Sequence, residues 1–268
     1  MNDFSQAVEH LSNLDVLISI GLLAVVAGLS TWRRLGLVKD LGIGAIRTVV
    51  QLALMGYVIL FLFRADYWPV TLLVIVVMVG FAGWTALRKH RGRKLSLYPV
   101  TSLSIFAGSA LTLAYVMYLV IRPDDWADPQ YLIPLAGMIL GNAMNGTALA
   151  LERLQSEIRE TRPEIEVRLA LGATRWQASG GAVRRAVNAA LIPSINAMMV
   201  VGLVFLPGMM TGQILVGADP VTAAKYQMVV MFMLPAATAL SIILAVFAYL
   251  PRLFTPAHQL RDEETRTG

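Results

Sequence analysis

The 268-residue sequence contains no cysteine, and this absence excludes two kinds of site. Without cysteine the chain forms no disulfide and offers no thiolate to a metal ion. Histidine is scarce as well, since only His10, His90 and His258 occur, and they are dispersed in polar segments. A histidine metal cluster is therefore not expected, and the sequence leaves the ligands of any metal ion unknown.

Charge is the second scarce property of this chain. Charged residues make up 15% of the sequence, hydrophobic residues 57%, and the mean hydropathy is +0.65. A soluble domain carries about a quarter charged residues. Apolar runs of about 20 residues recur along the chain, which is the length a helix needs to cross the hydrocarbon core of a bilayer. The runs are continuous and do not alternate, which excludes a closed β-barrel. We therefore predict an all-α, polytopic membrane protein in which residues 1–268 form a single transmembrane domain.

Sequence signatures of catalysis are also absent. No Gly-x-x-x-x-Gly-Lys sequence occurs, so we expect no P-loop and no ATP hydrolysis by this chain. Nearly every acidic residue lies between the apolar runs, where neither a carboxylate pair nor a Ser-His-Asp arrangement is credible. The chain is therefore not expected to be an enzyme.

Seven membrane spans are predicted, at about residues 14–32, 41–63, 68–87, 97–121, 131–151, 189–215 and 224–250. Of the 22 lysines and arginines, eighteen lie in one set of connections, three in the other set, and Arg47 within a span. The positive-inside rule places the N-terminus outside and the C-terminus in the cytoplasm, which requires an odd number of spans. The net charge of +5 thus reflects membrane topology, and we expect contact with the lipid bilayer and none with nucleic acid.

The longest polar interval, residues 152–188, lies on the predicted cytoplasmic side between the fifth and sixth spans. Pro163 divides it into helices at about 148–161 and 164–171, and Gly172 can adopt the left-handed conformation that ends a helix. A short helix that a glycine turn holds across the membrane face could dock into a cleft of a partner protein, and we predict this role for the interval. An amphipathic helix that rests on anionic lipid is the alternative.

Polar residues inside the predicted spans suggest a translocation path. Met138, Asn142 and Asn145 are spaced four and three residues apart, so they share one face of a helix. Asn196 and Met199 in the sixth span complete the predicted path. The alternative is that the amides form hydrogen bonds between helices and contact no substrate.

Small residues and prolines predict where the helices pack and bend. Gly137 and Gly141 form a Gly-x-x-x-Gly pair that allows close helix approach. Asp219 and Pro220 read as the cap and first residue of the last helix. Hinges are predicted where proline removes a backbone donor within a span, namely at Pro207 with Gly208 and at Pro235.

Methionine is concentrated in the second half of the chain, where nine of the thirteen lie from Met138 onward. The last span also brings Gln227, Met228 and Met231 within five residues. Thioethers are ligands for soft ions such as Cu(I). Methionine also fills gaps where helices must move, and packing is the simpler interpretation of any single one.

Several stretches resemble known permeases. Glu166-x5-Gly172 resembles the Glu-Ala-Ala-x3-Gly cytoplasmic loop of ABC importer permeases, and the Leu-Gly-Ala-Thr sequence at 171–174 strengthens the likeness. Residues 133–144, the stretch 202–227 and Arg47-x3-Gln51 are similar to the FetB-type permease family. This resemblance extends over nearly the whole chain.

The resemblance implies a homodimeric ABC transporter permease in the bacterial inner membrane, paired with a separate FetA-type ATPase and linked to iron export. ATP would be bound by the partner subunit, and this chain would bind no cofactor. Coupling to the ATPase would fall on Glu166, Arg168, Leu171, Gly172, Ala173, Thr174, Arg175 and Trp176. Plant members associated with aluminium tolerance leave the cargo open. An importer of metal or small solute, a non-transporting membrane interaction subunit and a secondary carrier are the alternatives.

Overall fold

The structure is a computed structural model that describes residues 13–65, 68–88, 97–123, 128–257 and 259–261. Nine α-helices lie in these ranges: α1 Asn13–Trp32, α2 Val38–Ala65, α3 Trp68–Arg88, α4 Tyr98–Tyr115, α5 Pro129–Glu160, α6 Arg162–Ala170, α7 Arg175–Val200, α8 Gly208–Leu215 and α9 Pro220–Tyr249. A π-helical segment, Val116–Ile121, extends α4, and a 3₁₀ turn, Leu250–Leu253, follows α9. The prediction of an all-α, polytopic membrane protein is confirmed.

Among the described residues, five helices are long and apolar enough to cross a membrane: Val38–Leu62, Trp68–Leu87, Tyr98–Ile121, Pro129–Glu160 and Pro220–Leu253. They correspond to the second, third, fourth, fifth and seventh predicted spans. The first predicted span contains a shorter apolar helix, Ile18–Trp32. The number of seven spans and their orientation stay predictions.

The sixth predicted span, residues 189–215, is divided between two helices in the structure. Helix α7 ends at Val200 and α8 begins only at Gly208. Gly202 between them has a φ of +81°, a left-handed conformation that cannot continue a right-handed helix. Pro207 lacks a backbone N–H and directly precedes α8, where no intrahelical donor is needed. The chain is thus interrupted beside the predicted hinge.

Two compact units make up the described chain. One contains α1 and α2 together with Leu215–Gly217, and the other contains α3 to α7, most of α8, and α9. Within the second unit, α4 and α5 both approach α9 closely. A Cβ built on Gly108 would lie 2.6 Å from the backbone nitrogen of Ser241, and one built on Gly146 would overlap Cγ2 of Thr238. These glycines let the helix backbones come together.

The core that positions the polar interval is formed by buried side chains of α5, α6, α7, α9 and the segment after α9. Its members include Ile158 of α5, Ile165 of α6, Ala182 of α7, Val246 of α9 and Leu253, each no more than 3% exposed. Residues Phe254 and Leu260 are bridged and buried in the same cluster. The short helix α6 is therefore anchored to the membrane helices by apolar packing.

Candidate functional site

The polar interval folds into the end of α5, the short helix α6 and the start of α7. Thr161 lies between α5 and α6, and Pro163 occupies the first turn of α6, where its missing N–H costs nothing. Helix α6, Arg162–Ala170, and the end of α5 at Glu160 agree with the helices predicted at about 164–171 and 148–161. The site is thus a helical elbow between two long helices.

Gly172 ends α6 in a Schellman motif. Its φ is +90°, and its N–H donates to the carbonyl oxygen of Leu169 at 3.0 Å. The N–H of Ala173 donates to the carbonyl oxygen of Arg168, also at 3.0 Å. These two bonds satisfy carbonyl groups that a helix end leaves without partners. Leu-Gly-Ala in the sequence therefore specifies a defined turn.

The next helix starts in a capping box two residues after Gly172. The N–H of Gln177 donates to Oγ1 of Thr174 at 3.3 Å, and the N–H of Thr174 donates to Oε1 of Gln177 at 2.9 Å. This reciprocal pair satisfies donors at the first turn of α7. The turn between α6 and α7 is consequently fixed at both ends.

The charged side chains of α6 compensate one another. Arg162 pairs with Glu166 at 2.7 Å, and Arg168 pairs with Glu164 at 2.6 Å, both across one helical turn. All four are at least a quarter exposed, and such pairs stabilise a helix by about 0.3–0.5 kcal/mol. Because these ion pairs form within α6, they stabilise the helix itself.

Two apolar side chains protrude from this charged helix. Val167 is 60% exposed and Leu171 is 82% exposed, and their spacing of four residues places them side by side. Ile165, in contrast, is 2% exposed and anchors α6 in the core. We call Val167 and Leu171 the docking knob. Leu171 is among the predicted coupling residues and Val167 is not, although their spacing of four residues is visible in the sequence.

Trp176 supports the elbow from behind. Its ring stacks on Phe247 of α9 with centroids 4.6 Å apart, and it packs against the main core together with Ala173. Arg175 is half-buried, and its carbonyl oxygen accepts a hydrogen bond from Ser179. The other predicted coupling residues are exposed, namely Glu166, Arg168, Leu171, Gly172 and Thr174. The coupling role of all eight residues stays a prediction.

An ion pair ties the two long helices together beside the elbow. Nε of Arg185 on α7 lies 2.6 Å from Oε2 of Glu157 on α5. These residues are 28 positions apart, so the sequence alone gave no signal for the pair. It fixes the register between the end of α5 and the start of α7.

The predicted path residues lie on the surfaces of α5 and α7. Met138 is half-buried, whereas Asn142 and Asn145 are exposed. Nδ2 of Asn142 donates to the carbonyl oxygen of Met138 at 2.9 Å. On α7, Asn196 is exposed and Met199 is 72% exposed. Each helix thus presents its predicted polar residues on an accessible face, and their role in translocation stays a prediction.

The predicted Gly-x-x-x-Gly pair is only partly used within the chain. A Cβ on Gly137 would lie 3.3 Å from Cε of Met78 on α3, whereas one on Gly141 would meet no atom within 4 Å. The tightest helix contacts instead involve Gly83, Gly108 and Gly146, none of which was among the predicted packing residues. No group of three His, Asp or Glu residues that could hold a metal ion lies in the described part of the chain.

Comparisons with known proteins agree along most of the chain. The model of the family described as "Uncharacterised protein family (UPF0014)" matches residues 13–254. A UPF0014 membrane protein of Synechocystis is 42% identical over 253 residues, which is 94% of this chain and 97% of that protein. The "Probable iron export permease protein FetB" of Escherichia coli is 35% identical over 253 residues, with 94% and 96% covered. "Protein ALUMINUM SENSITIVE 3" of Arabidopsis thaliana is 37% identical over 240 residues, with 90% and 86% covered. No solved structure matches the chain.

Proposed function

The chain belongs to the UPF0014 family of multi-pass membrane proteins, and on this premise we propose that it is the permease subunit of an ABC transporter that exports iron or a related metal. The Escherichia coli relative is named a probable iron export permease, and this name supports the cargo and the direction. The lack of a P-loop sequence supports a separate ATPase of the FetA type that binds ATP. This chain itself binds no cofactor.

The docking knob is the observation that carries this proposal. Val167 on α6 and Leu171 directly after it are large, exposed apolar side chains, whereas the charged residues of α6 pair among themselves. Removing one leucine or valine side chain from water stabilises an interface by about 1.5–3 kcal/mol. A hydrophobic cleft on the ATPase would therefore gain most of its binding free energy from these two residues.

Motion of the docked ATPase would pass from α6 to the membrane helices through two contacts. Ile165 lies in the core that also contains residues of α5, α7 and α9. Trp176, just after the elbow, stacks on Phe247 near the end of α9. Because the elbow is fixed by hydrogen bonds on both sides of Gly172, a push on α6 would move α7 and α9 and not merely bend the turn.

A second copy of the chain would complete the transporter. Asn142 and Asn145 on α5 and Asn196 on α7 are exposed carboxamides on helices that otherwise carry much apolar surface. Exposure of an amide to hydrocarbon is unfavourable, so these residues favour a water-filled path or the facing helices of a partner copy. We propose a homodimer of seven-span subunits, with the N-terminus outside and the C-terminus in the cytoplasm, whose path lies between these faces.

Co-purification tests the proposed partnership. The permease, co-expressed with a FetA-type ATPase and extracted in mild detergent, should retain that ATPase. Leu171→Ser should reduce the retained ATPase at least tenfold. Leu35→Ser is the matched control, since Leu35 is a 60% exposed leucine in the connection between α1 and α2. A permease that transports without any ATPase would be a secondary carrier and would contradict the proposal.

A further inference from the structure

A cavity of about 400 Å³ lies between the first half of α9 and the break that separates α7 from α8. Its walls come from the end of α7, the segment 201–207, the start of α8 and α9. Four of its eleven lining side chains are methionines, and they come from three different helices. These are Met198 on α7, Met210 on α8, and Met228 and Met231 on α9.

Methionine is not a general feature of the cavities in this chain. A cavity of about 330 Å³ between α3, α4 and α5 has fourteen lining residues, among which Met117 is the single methionine. Both cavities have similar size and both are lined mainly by apolar atoms. The four methionines of the cavity beside α8 are therefore explained less well by gap filling than by a ligand that binds sulfur.

A buried oxygen atom distinguishes the methionine cavity further. Gln227 lines it, is 6% exposed, and its Oε1 accepts no hydrogen bond from the described residues. A buried carbonyl oxygen without a donor is unfavourable and attracts a cation. Gln227 and Met231 are four residues apart on α9, and Met228 lies three residues before Met231. The oxygen and two sulfurs therefore lie on neighbouring positions of one helix face.

We infer that this cavity binds a soft, monovalent metal ion of the Cu(I) class through the thioether sulfurs of Met198, Met210, Met228 and Met231, with Oε1 of Gln227 as a further ligand. Uncharged thioethers bind soft ions and are poor ligands for harder ones. A cluster of uncharged ligands also suits an ion of single charge in a low-dielectric setting, where a divalent ion would lack compensating carboxylates. The inference rests on the proposed metal export and extends its cargo to soft ions.

The break between α7 and α8 gives this site a way to release the bound ion. Met198 precedes Gly202 and Met210 follows Pro207, so two ligands lie on opposite sides of the break. A change of angle between α7 and α8 would alter the distances between their sulfurs and those of α9. Transmitted motion of the ATPase would thereby weaken the site during each transport cycle.

Silver binding by the purified permease in lipid nanodiscs tests the inference, because Ag(I) resembles Cu(I) and is stable in air. We expect one tightly bound silver ion per chain, and at least tenfold weaker binding by the double variant Met228→Leu with Met231→Leu. The double variant Met117→Leu with Met144→Leu, outside the cavity, should bind silver as the unchanged protein does. Ferrous iron should bind the unchanged protein at least tenfold more weakly than silver.

X-ray absorption at the silver edge of the unchanged protein provides a readout that does not depend on how variants fold. Several sulfur neighbours of silver are expected. A spectrum without sulfur neighbours, equal binding by both double variants, or tighter binding of ferrous iron would overturn the inference. None of these measurements requires ATP. ATP-driven iron flux without silver binding would overturn the thioether site alone, whereas silver binding without any flux would overturn the proposed transport function alone.

Discussion

Trp176 and Phe247 stack with their ring centroids 4.6 Å apart and their planes inclined by 31°. Trp176 lies in the first turn of α7, directly after the elbow, and Phe247 lies near the end of α9. The pair therefore joins the segment that follows α6 to α9, the last long helix of the described chain. Through this contact the elbow between α6 and α7 packs against α9.

Replacement of Trp176 by alanine should separate ATPase binding from transport. We expect Trp176→Ala to retain the ATPase, since the docking knob is unchanged, and to transport several-fold more slowly. Phe247→Ala should have a similar effect, and the double variant should be little worse than either single one. Aromatic pairs contribute about 0.5–1.5 kcal/mol beyond the burial of their area. We expect a coupling energy of this size when the transport rates of the two single variants and the double variant are compared in a double-mutant cycle. Additive losses in the double-mutant cycle would show that the stack is not the link.

Gly172 should be sensitive to substitution because of its backbone and not because of crowding. A Cβ there would meet no atom within 4 Å, but the φ of +90° disfavours side chains, and β-branched ones most. We expect Gly172→Val to strain or unwind the turn, at a cost of about 1–2 kcal/mol, and to abolish transport while the permease still inserts.

Gly180 offers the matched control for this substitution. It lies in α7, where a Cβ would also meet no atom within 4 Å and no positive φ is required. Gly180→Val should leave transport close to normal. Normal transport by Gly172→Val, measured on membranes with equal permease content, would remove the coupling role of the turn.

Gly146 should be the most sensitive glycine of α5. A valine there would overlap Cγ2 of Thr238, so α5 and α9 would be forced apart, and overpacking of this kind costs about 1–3 kcal/mol. We expect Gly146→Val to lower the thermal unfolding temperature in detergent, with partial recovery when Thr238→Ala is added. Gly141→Val on the same helix, where no atom lies within 4 Å, should leave the stability of the single chain unchanged. Equal effects of the two valines would show that the close approach at Gly146 does not exist.

The start of α9 should depend on pH through Asp219. The backbone N–H of Thr222 donates to Oδ2 of Asp219 at 2.9 Å, and this bond, with one from the Thr222 hydroxyl, lowers the pKa of the carboxyl group below its ordinary value. A lowered pKa means that the cap stabilises the helix above the ordinary pKa and is lost as the pH falls through the folded value. We expect the amide resonance of Thr222 to shift only at a pH below the ordinary range of aspartate. Titration of that resonance at or above the ordinary value would contradict the cap.

Structural features that depend only on neighbouring residues could be predicted from the sequence. The length of the apolar runs indicated the five helices that are long and apolar enough to cross a membrane, and Asp219 with Pro220 indicated the start of the last one. The Leu-Gly-Ala sequence indicated the turn at Gly172, because few residues other than glycine adopt its conformation. In each case the residues that determine the structure are neighbours in the chain.

Features that depend on distant partners could not be predicted in this way. Whether a glycine lies against another helix depends on the helix that faces it, which is why Gly141 was named and Gly146 was not. The Glu157–Arg185 pair and the stacking of Trp176 on Phe247 join positions far apart in sequence. The break between α7 and α8 was marked by Pro207, but α7 ends earlier, at Val200. Gly202, which follows, is a glycine among apolar residues and gave a weaker signal.

Flux of radioactive iron into inside-out membrane vesicles tests the central claim most directly. Vesicles that contain the permease and its ATPase should accumulate iron when ATP is added, because export from a cell becomes uptake into an inverted vesicle. Vesicles that contain Leu171→Ser permease should accumulate little. Iron that leaves the vesicles on addition of ATP would indicate an importer, and iron flux that does not depend on ATP would contradict the account altogether.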